Sequence, residues 1–266
     1  MDRLIYTALT GLAGRSRSQA VTANNLANAG TTGFRREIIA AESRYLTADN
    51  QRSRVESVGA RSRVESVGAR SRVQAGAPSV ATPHDPGKAD PTGRPLDIAL
   101  AGDAWLAVQG PILQGQPTEA YTRRGDLSIT LTGILQNGDG RAVLSVSGTP
   151  ITIPPGASLD IAPDGSLTTR AGDTVTPLGQ LKLVNGAGLT DLAKGADGQF
   201  TSKTPLPADP LARLTTGSLE TSNVQTAGAL AELVEQSRGF EVNARLLGIA
   251  KDIDERTARL MALDSQ

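Results

Sequence analysis

Three aspartates, Asp160, Asp164 and Asp173, lie near one another in the sequence and offer the most obvious chemistry. A glycoside hydrolase uses two carboxyl groups, one to protonate the leaving oxygen and one to attack the sugar or activate water. Each of these aspartates, however, stands beside turn-forming residues, and no aromatic side chain accompanies them as a platform for a sugar ring. The pattern favours surface turns, and a glycan-active enzyme remains the alternative from a different functional class.

Three other groups of residues spell fragments of known sites. Residues 137–140, Asn-Gly-Asp-Gly, begin like a calcium-binding loop but lack the downstream bidentate glutamate, so they predict a hairpin turn. Residues 124–126 spell Arg-Gly-Asp, a tripeptide common enough by chance to carry no adhesion argument. His84 is the only histidine and lies in a proline-rich stretch, which predicts a surface residue and not a catalyst.

The residue types that enzymes most often need are scarce or absent. The chain has no cysteine, which excludes disulfides, thiolate metal sites and cysteine nucleophiles. No glycine-rich phosphate loop, nucleophile elbow or HExxH motif occurs. The sequence therefore predicts a protein that is not an enzyme and that holds no cofactor and no metal.

The net charge and the hydropathy of the chain limit the classes of partner that can be expected. The 266 residues include 27 basic and 27 acidic side chains, so there is no electrostatic case for binding nucleic acid or an anionic membrane. No apolar run approaches the roughly 20 residues that span a bilayer, and the first residues show no signal-peptide pattern. With 3% aromatic residues, 29 glycines and 15 prolines, short strands and extended surfaces are expected.

Residues 2–29 predict an amphipathic helix with a narrow apolar stripe. Asparagine competes with the helix for backbone hydrogen bonds and glycine accepts the left-handed conformation, so the helix should stop near residues 28–30. A helix with so little apolar surface is marginal alone, and it needs a partner in this chain or in another subunit. The stripe follows a 4-3 repeat at Ile5, Leu9, Leu12, Ala23 and Leu26.

Residues 35–95 carry few large apolar side chains and contain an internal repeat. The nonapeptide at 53–61 is copied at 62–70, and a third copy begins at 71–73. A perfect duplicate this short predicts a mobile or weakly β-paired surface segment, since solenoid repeats run to about 20 residues or more. Four prolines within 79–95 predict an extended linker.

Residues 96 to about 214 predict an all-β region, either a twisted sandwich or an open barrel. Residues 127–131 alternate apolar and polar, as a half-buried strand does. The other strand and turn signals are at 97–100, 105–108, 151–153, 181–184 and the hairpin 159–169.

Residues 218–264 predict a second helix, with Ser222 or Asn223 as its N-cap. Its apolar residues form a heptad seam, which is the pattern of a helix that packs along another helix. The seam consists of Val242, Leu246, Ile249, Ile253, Leu260 and Leu263, and Leu230, Leu233 and Phe240 extend its apolar contact towards the N-terminus.

Three strings of this sequence resemble the bacterial flagellar rod and hook family. The first is Asn24-Asn25-Leu26-Ala27-Asn28 followed by Thr32-Gly33-Phe34. The second runs through 92–108 and 121–126, and the third covers 219–223 and 232–244. The opening residues 1–8 and the strings at 153–157 and 161–165 resemble the proximal rod proteins best, and the distal rod proteins are the alternative within the family. Ala104, where the family usually has glycine, and the 53–73 repeat are departures.

This resemblance implies an α+β fold in which N- and C-terminal helices pack as a coiled coil around the export channel and a central all-β domain faces outward. It implies the divisions 1–34, 35–95, 96–217 and 218–266. It implies a structural subunit of the proximal rod that transmits torque. The expected partners are other proximal and distal rod proteins, copies of this chain and the flagellar type III export apparatus, with no nucleic acid and no membrane insertion. The expected location is the periplasmic rod.

The implied assembly residues are Asn24, Asn25, Leu26, Asn28, Gly33 and Phe34 in the N-terminal motif, and Leu230, Leu233, Phe240, Val242, Leu246, Ile249, Ile253 and Leu260 in the C-terminal seam.

Overall fold

The computed structural model describes residues 2–40, 43–49, 52–57, 72–75, 79–83, 85–113, 116–186, 192–195 and 197–263. It has mixed helix and strand content, with one helix near each end of the chain. The elements in chain order are α1 Asp2–Ala27, β1 Ile38–Ala40, β2 Ser43–Asp49, β3 Arg52–Ser57, β4 Arg72–Ala75, β5 Ser79–Ala81, β6 Ala89–Pro91, β7 Ile98–Leu100, β8 Ala104–Leu113, β9 Gln116–Thr122, β10 Ser128–Ile129, β11 Leu135–Gln136, β12 Ser158–Ile161, β13 Ser166–Ala171, β14 Thr174–Gln180, β15 Leu183–Asn185, β16 Ala193–Lys194, β17 Phe200–Thr201, β18 Leu214–Thr216, β19 Ser218–Glu220 and α2 Thr226–Leu263.

The chain divides into two compact units. The helical unit comprises Met1–Ala27, Glu37–Thr82 and Gln225–Gln266, and the β unit comprises Asn28–Arg36 and Pro83–Val224. The four-part division expected from the sequence remains a prediction.

Helix α1 ends where the asparagine-rich string predicts. Its last residue is Ala27, and a turn follows in which the Thr31 N–H donates to the Asn28 carbonyl (3.1 Å). The Asn28 and Thr31 side chains are also hydrogen-bonded at 3.2 Å. The left-handed glycine of this region is Gly33, with φ 67°, and it lies beyond the predicted stop at 28–30.

Helix α2 begins at Thr226, so the prediction of helix from residue 218 is wrong for the first eight residues. Residues 218–220 instead form β19, which pairs antiparallel with β6. The physical reason is Glu220, whose side chain is buried against two arginines and holds this segment extended. The predicted N-cap is also wrong, because Ser222 and Asn223 precede the helix and bond to other backbone groups.

Most of the described residues within 35–95 lie in the short strands β1 to β6. Strand β1 pairs with β5, and β2 pairs with both β3 and β4. The first nonapeptide copy contributes to β3 and the third to β4, which confirms the β-paired alternative for those residues. The second copy, 62–70, lies outside the described residues, as does His84.

The β unit is built on a five-stranded sheet of order β15-β8-β9-β17-β16 and a three-stranded sheet β12-β13-β14. Strands β7 and β8 and the β12–β13 hairpin confirm the predictions at 97–100, 105–108 and 159–169. A turn at 137–140, closed by a 2.9 Å bond from the Gly140 N–H to the Asn137 carbonyl, is also confirmed. The main core is apolar and includes Ile98, Leu106, Leu135, Val143, Leu167 and Leu181.

The expected inward alternation over 127–131 is wrong. Leu127 is buried, but Ile129 and Leu131 are exposed. Strand β10 stops at Ile129 because the chain reverses in a tight turn, in which the Gly133 N–H donates to the Thr130 carbonyl at 2.9 Å. The short strand therefore cannot continue the period-two pattern.

Candidate assembly site

The sequence's carboxylate candidates do not form a catalytic pair. Asp164 caps its own turn, accepting from the backbone N–H (3.0 Å) and hydroxyl (2.8 Å) of Ser166, and the bond from that N–H lowers the pKa of its carboxyl. Asp160 lies 3.9 Å from Arg170 on the exposed side of β12, and Asp173 is an exposed turn residue. An ionised, locally bonded carboxylate is a poor general acid. Within the described ranges no group of three or more metal-ligating side chains occurs, and no helix is long and apolar enough to cross a membrane.

The Arg-Gly-Asp and Asn-Gly-Asp-Gly strings hold the same corner of the β unit. The Arg124 guanidinium donates to both oxygens of Asp126 (2.8 and 2.9 Å) and to Asp139 (2.6 Å). Asn137 is buried and accepts the backbone N–H groups of Asp139 and Arg141. Both strings are therefore parts of a structural turn.

The contact between α1 and α2 within the chain includes polar bonds. The Gln236 side chain donates to the hydroxyls of Ser18 (2.9 Å) and Thr22 (3.0 Å). Nearer the start of α1, Arg15 lies against Gly239, so the two helices run antiparallel. The half-buried stripe of α2 recurs at Leu233, Gln236, Asn243 and Leu247. This stripe, not the predicted seam, faces α1.

The predicted apolar seam lies on another side of α2 and is exposed. Successive residues turn by about 100° around a helix, which places Leu246 and Ile249 roughly a quarter and two-fifths of a turn away from Gln236. Leu233 belongs to the half-buried stripe, Phe240 is exposed at its edge, and the side chain of Leu260 lies outside the described part. The remaining seam residues are 48–56% exposed: Leu230, Val242, Leu246, Ile249 and Ile253. On α1, Leu9 is likewise exposed.

The asparagines of the N-terminal motif have different environments. Asn25 is buried, and its amide donates to the Glu37 carbonyl (2.7 Å) while its oxygen accepts the Glu37 N–H (2.8 Å). Asn25 thus closes the loop 28–36 at its base within the helical unit. Asn24 is exposed, and Leu26 is half-buried.

The second half of the motif is packed into the β unit. A Cβ atom on Gly33 would overlap the backbone carbonyl of Arg123, which explains the glycine at this point. Phe34 is buried, with the Lys194 ammonium 3.9 Å from the centre of its ring. Lys194 also donates to the Arg35 carbonyl at 2.7 Å. Gly33 and Phe34 therefore anchor the 28–36 segment.

Beside Phe34 lies a buried cluster that sequence reasoning missed, which we call the arginine–glutamate cluster: Arg35, Arg123 and Glu220. Their side chains are 1%, 2% and 3% exposed. Arg123 donates to Glu220 at 2.6 Å, and Arg35 donates to the other oxygen of the same carboxylate. Both guanidinium groups also lie about 6 Å from the centre of the Trp105 ring, at 6.0 and 5.9 Å, within cation–π range.

The arginine–glutamate cluster holds two positive charges and one negative charge. Two buried guanidinium groups share one carboxylate, and burial, together with neighbouring Arg123, lowers the pKa of Arg35 although Glu220 opposes the shift. Arg123 is compensated further, because its remaining N–H groups donate to the carbonyls of Leu100, Gly102 and Ala104 at 2.6–2.7 Å. Removing Glu220 would leave two like charges buried together, which is costly. No local sequence signal joins residues 35 and 220, which are 185 positions apart.

The first and last helices carry exposed apolar residues, which is a feature of structural proteins that assemble with other subunits. Three family descriptions match this protein in chain order: "Flagella basal body rod protein" at residues 5–35, "Flagellar hook protein FlgE/F/G D1 domain" at 99–169, and "Flagellar basal body rod FlgEFG protein C-terminal" at 215–260. The chain belongs to the flagellar basal-body rod proteins of the FlgF type.

Similar proteins cover the whole chain. The flagellar basal-body rod protein FlgF of Escherichia coli strain K12 is 35% identical over 275 residues, covering 99% of this chain and 100% of the relative. FlgF of Salmonella typhimurium is 34% identical over the same shares of both chains. The flagellar basal-body rod protein FlgG of Bacillus subtilis strain 168 is 28% identical, over 98% of this chain and 99% of the relative.

Proposed function

We propose that this protein is a structural subunit of the proximal rod of the flagellar basal body, assembled through its terminal helices. Membership of the rod family supports the structural role, the location in the basal body and contact with other rod components. The proposal adds that the protein assembles with copies of itself and transmits torque. It also adds that the protein passes through the type III export apparatus and resides in the periplasm.

The observation that supports assembly through α2 is that its apolar seam is exposed, while its contact with α1 includes polar bonds. Its intramolecular contact uses the hydroxyls of Ser18 and Thr22, whereas Leu246 and Ile249 remain more than half exposed. Exposed rows of large apolar residues on a helix are unfavourable in water and mark a surface that another molecule covers. We place a helix of a neighbouring rod subunit on this seam, packed as in a coiled coil.

A contact of this kind joins different patches on successive subunits. Such heterologous contacts produce open helical arrays when the rotation between subunits does not close a ring. An axial rod needs this geometry, and no catalytic chemistry is required. The glycan-active alternative has less support, because the carboxylates on which it depends lie in turns and on the exposed side of β12.

Cross-linking tests the placement directly, because the chain has no cysteine of its own. Single variants Ile249→Cys and Leu246→Cys, labelled with a thiol-reactive benzophenone, should form cross-links to neighbouring subunits in isolated basal bodies on illumination. The control, Ser237→Cys labelled in the same way, lies nine residues and thus about half a turn from Leu246, and it should remain monomeric on denaturing gels. Equal cross-linking at all three positions, or none at the seam, would contradict the proposal.

A further inference from the structure

The chain passes between its two units four times: after Ala27, Arg36, Thr82 and Val224. On the β-unit side these passages belong to three short segments, whose described residues are 28–36, 83 with 85–88, and 218–224. Each of these segments makes hydrogen bonds with Glu220 or Asn223, or contains one of them.

Glu220, in the third segment, joins the first and second segments to the central sheet. One carboxylate oxygen accepts from the Arg35 guanidinium and from the backbone N–H of Gly87 (2.8 Å), and the other accepts from Arg123. The Glu220 carbonyl accepts the Gly33 N–H at 2.8 Å. Since Arg123 is itself bonded to carbonyls along β7 and β8, the carboxylate connects these segments to the core of the β unit.

Asn223, also in the third segment, bonds to both the first and the second segment. Its side-chain oxygen accepts the Arg36 N–H (2.7 Å), and its amide donates to the Asp85 carbonyl (2.9 Å). Its backbone N–H donates to the Phe34 carbonyl at 3.3 Å. The third segment approaches so closely that a Cβ on Gly87 would overlap the Thr221 carbonyl.

We infer that Glu220 is a positioning residue for the rod function: it gathers the β-unit ends of all four chain passages into one joint. This inference rests on the proposed function, because a force that turns the terminal helices reaches the β unit along those passages. Glu220 is suited to the task because a single carboxylate has lone pairs for several donors, and bonds to charged groups are the stronger ones. A joint made this way keeps the passages together while the helices bear load.

Hydrogen exchange on the purified full chain tests the joint. Glu220→Gln keeps the shape but removes the charge that both arginines share, so exchange at the amides of Gly33 and Gly87 should accelerate about tenfold to a hundredfold. The Ala107 amide, bonded within the core, should be unchanged. The matched control is Glu119→Gln, a glutamate of the same unit that pairs with Lys182 at 2.6–2.7 Å and touches none of the passages.

The function is tested in cells carrying the same variants. Cells with Glu220→Gln should lose swimming speed at lower medium viscosity than cells with Glu119→Gln. Loss of the rod itself also supports the inference if the exchange change is confined to the passages. Identical behaviour of the two variants in exchange and in swimming overturns it. Absence of the wild-type chain from basal bodies would instead refute the proposed function.

If Glu220→Gln does not fold, Arg35→Lys supplies the same test. It retains the positive charge and loses the guanidinium geometry that spans the cluster. Faster exchange at Gly33 with an unchanged core is the expected result, and an unchanged Gly33 amide overturns the inference.

Discussion

Two charges on the exposed seam of α2 should prevent rod assembly while leaving the subunit folded. The variant is Leu246→Asp with Ile253→Asp, whose side chains are 54% and 52% exposed in the single chain. Because they are exposed, replacing them should change the free energy of unfolding by only about 0.5 kcal/mol each. Far-ultraviolet circular dichroism and the fluorescence of buried Trp105 should therefore report a native subunit.

The expected loss of association follows from the area still available for burial. Complete burial of leucine or isoleucine contributes about 1.5–3 kcal/mol, so covering the exposed half of each contributes roughly 0.8–1.5 kcal/mol. Losing both contacts costs roughly 1.5–3 kcal/mol, and each carboxylate buried without a partner adds several kcal/mol. A total above about 4 kcal/mol weakens each contact more than about a thousandfold. Isolated basal bodies should lack a complete rod, and cells should not swim.

The control carries the same charge on the opposite side of the helix. Ser237→Asp with Ala244→Asp also places two aspartates seven residues apart at exposed positions, each nine residues and thus about half a turn from a seam position. This variant should assemble and swim. Motile cells with the seam variant would refute the reasoning, and so would equal loss of motility in the control.

Three further changes probe the β unit and the repeat. Gly33→Ala should destabilise the full chain by about 1–3 kcal/mol in urea unfolding, because alanine resists φ 67° and overlaps neighbouring backbone, whereas Gly30→Ala, with open space around it, should not destabilise it. Burial opposes ionisation of Asp97, but hydrogen bonds from Arg94 and Thr92 and the charge of Arg94 together outweigh it and lower the pKa of the carboxyl. The stability that this carboxylate contributes should therefore be complete above the unfolded pKa of about 3.9 and fall as the pH drops below it. Urea midpoints measured from about pH 6 to 3 should fall less steeply in Asp97→Asn. Deleting residues 62–70 should move the thermal midpoint by no more than about two degrees, since stability depends only weakly on the length of a surface loop, and a drop of ten degrees would show that the repeat is integrated into the fold.

Local patterns were sufficient for the elements that depend on local physics. The end of α1 follows from its asparagines, and the β12–β13 hairpin follows from the Pro-Asp-Gly turn at 163–165 between two alternating strands. The periodicity of α2 also identified its exposed apolar row. It could not identify the side that contacts α1, because that side mixes Leu233 and Leu247 with polar residues such as Gln236, which carry no hydrophobic signal.

The errors arose where distant partners decide the conformation. Residues 218–223 read as a helix start because serine and asparagine are good caps, but Glu220 is held in a strand by Arg35 and Arg123. Pairings across 97 and 185 positions leave no trace in a local pattern. The missed arginine–glutamate cluster is therefore the part of the candidate site that needed the structure.

Residues 35 and 220 are 185 positions apart, and this separation constrains the order in which contacts form during folding. The loop that it closes spans most of the chain, and closing a long loop costs entropy before any contact compensates for it. During synthesis, residues 33–36 emerge early, but their partners at 220 and 223 emerge only when the chain is nearly finished. Residues 33–36 of a growing chain consequently remain without their contacts to Glu220 and Asn223 until the segment that precedes α2 has been made.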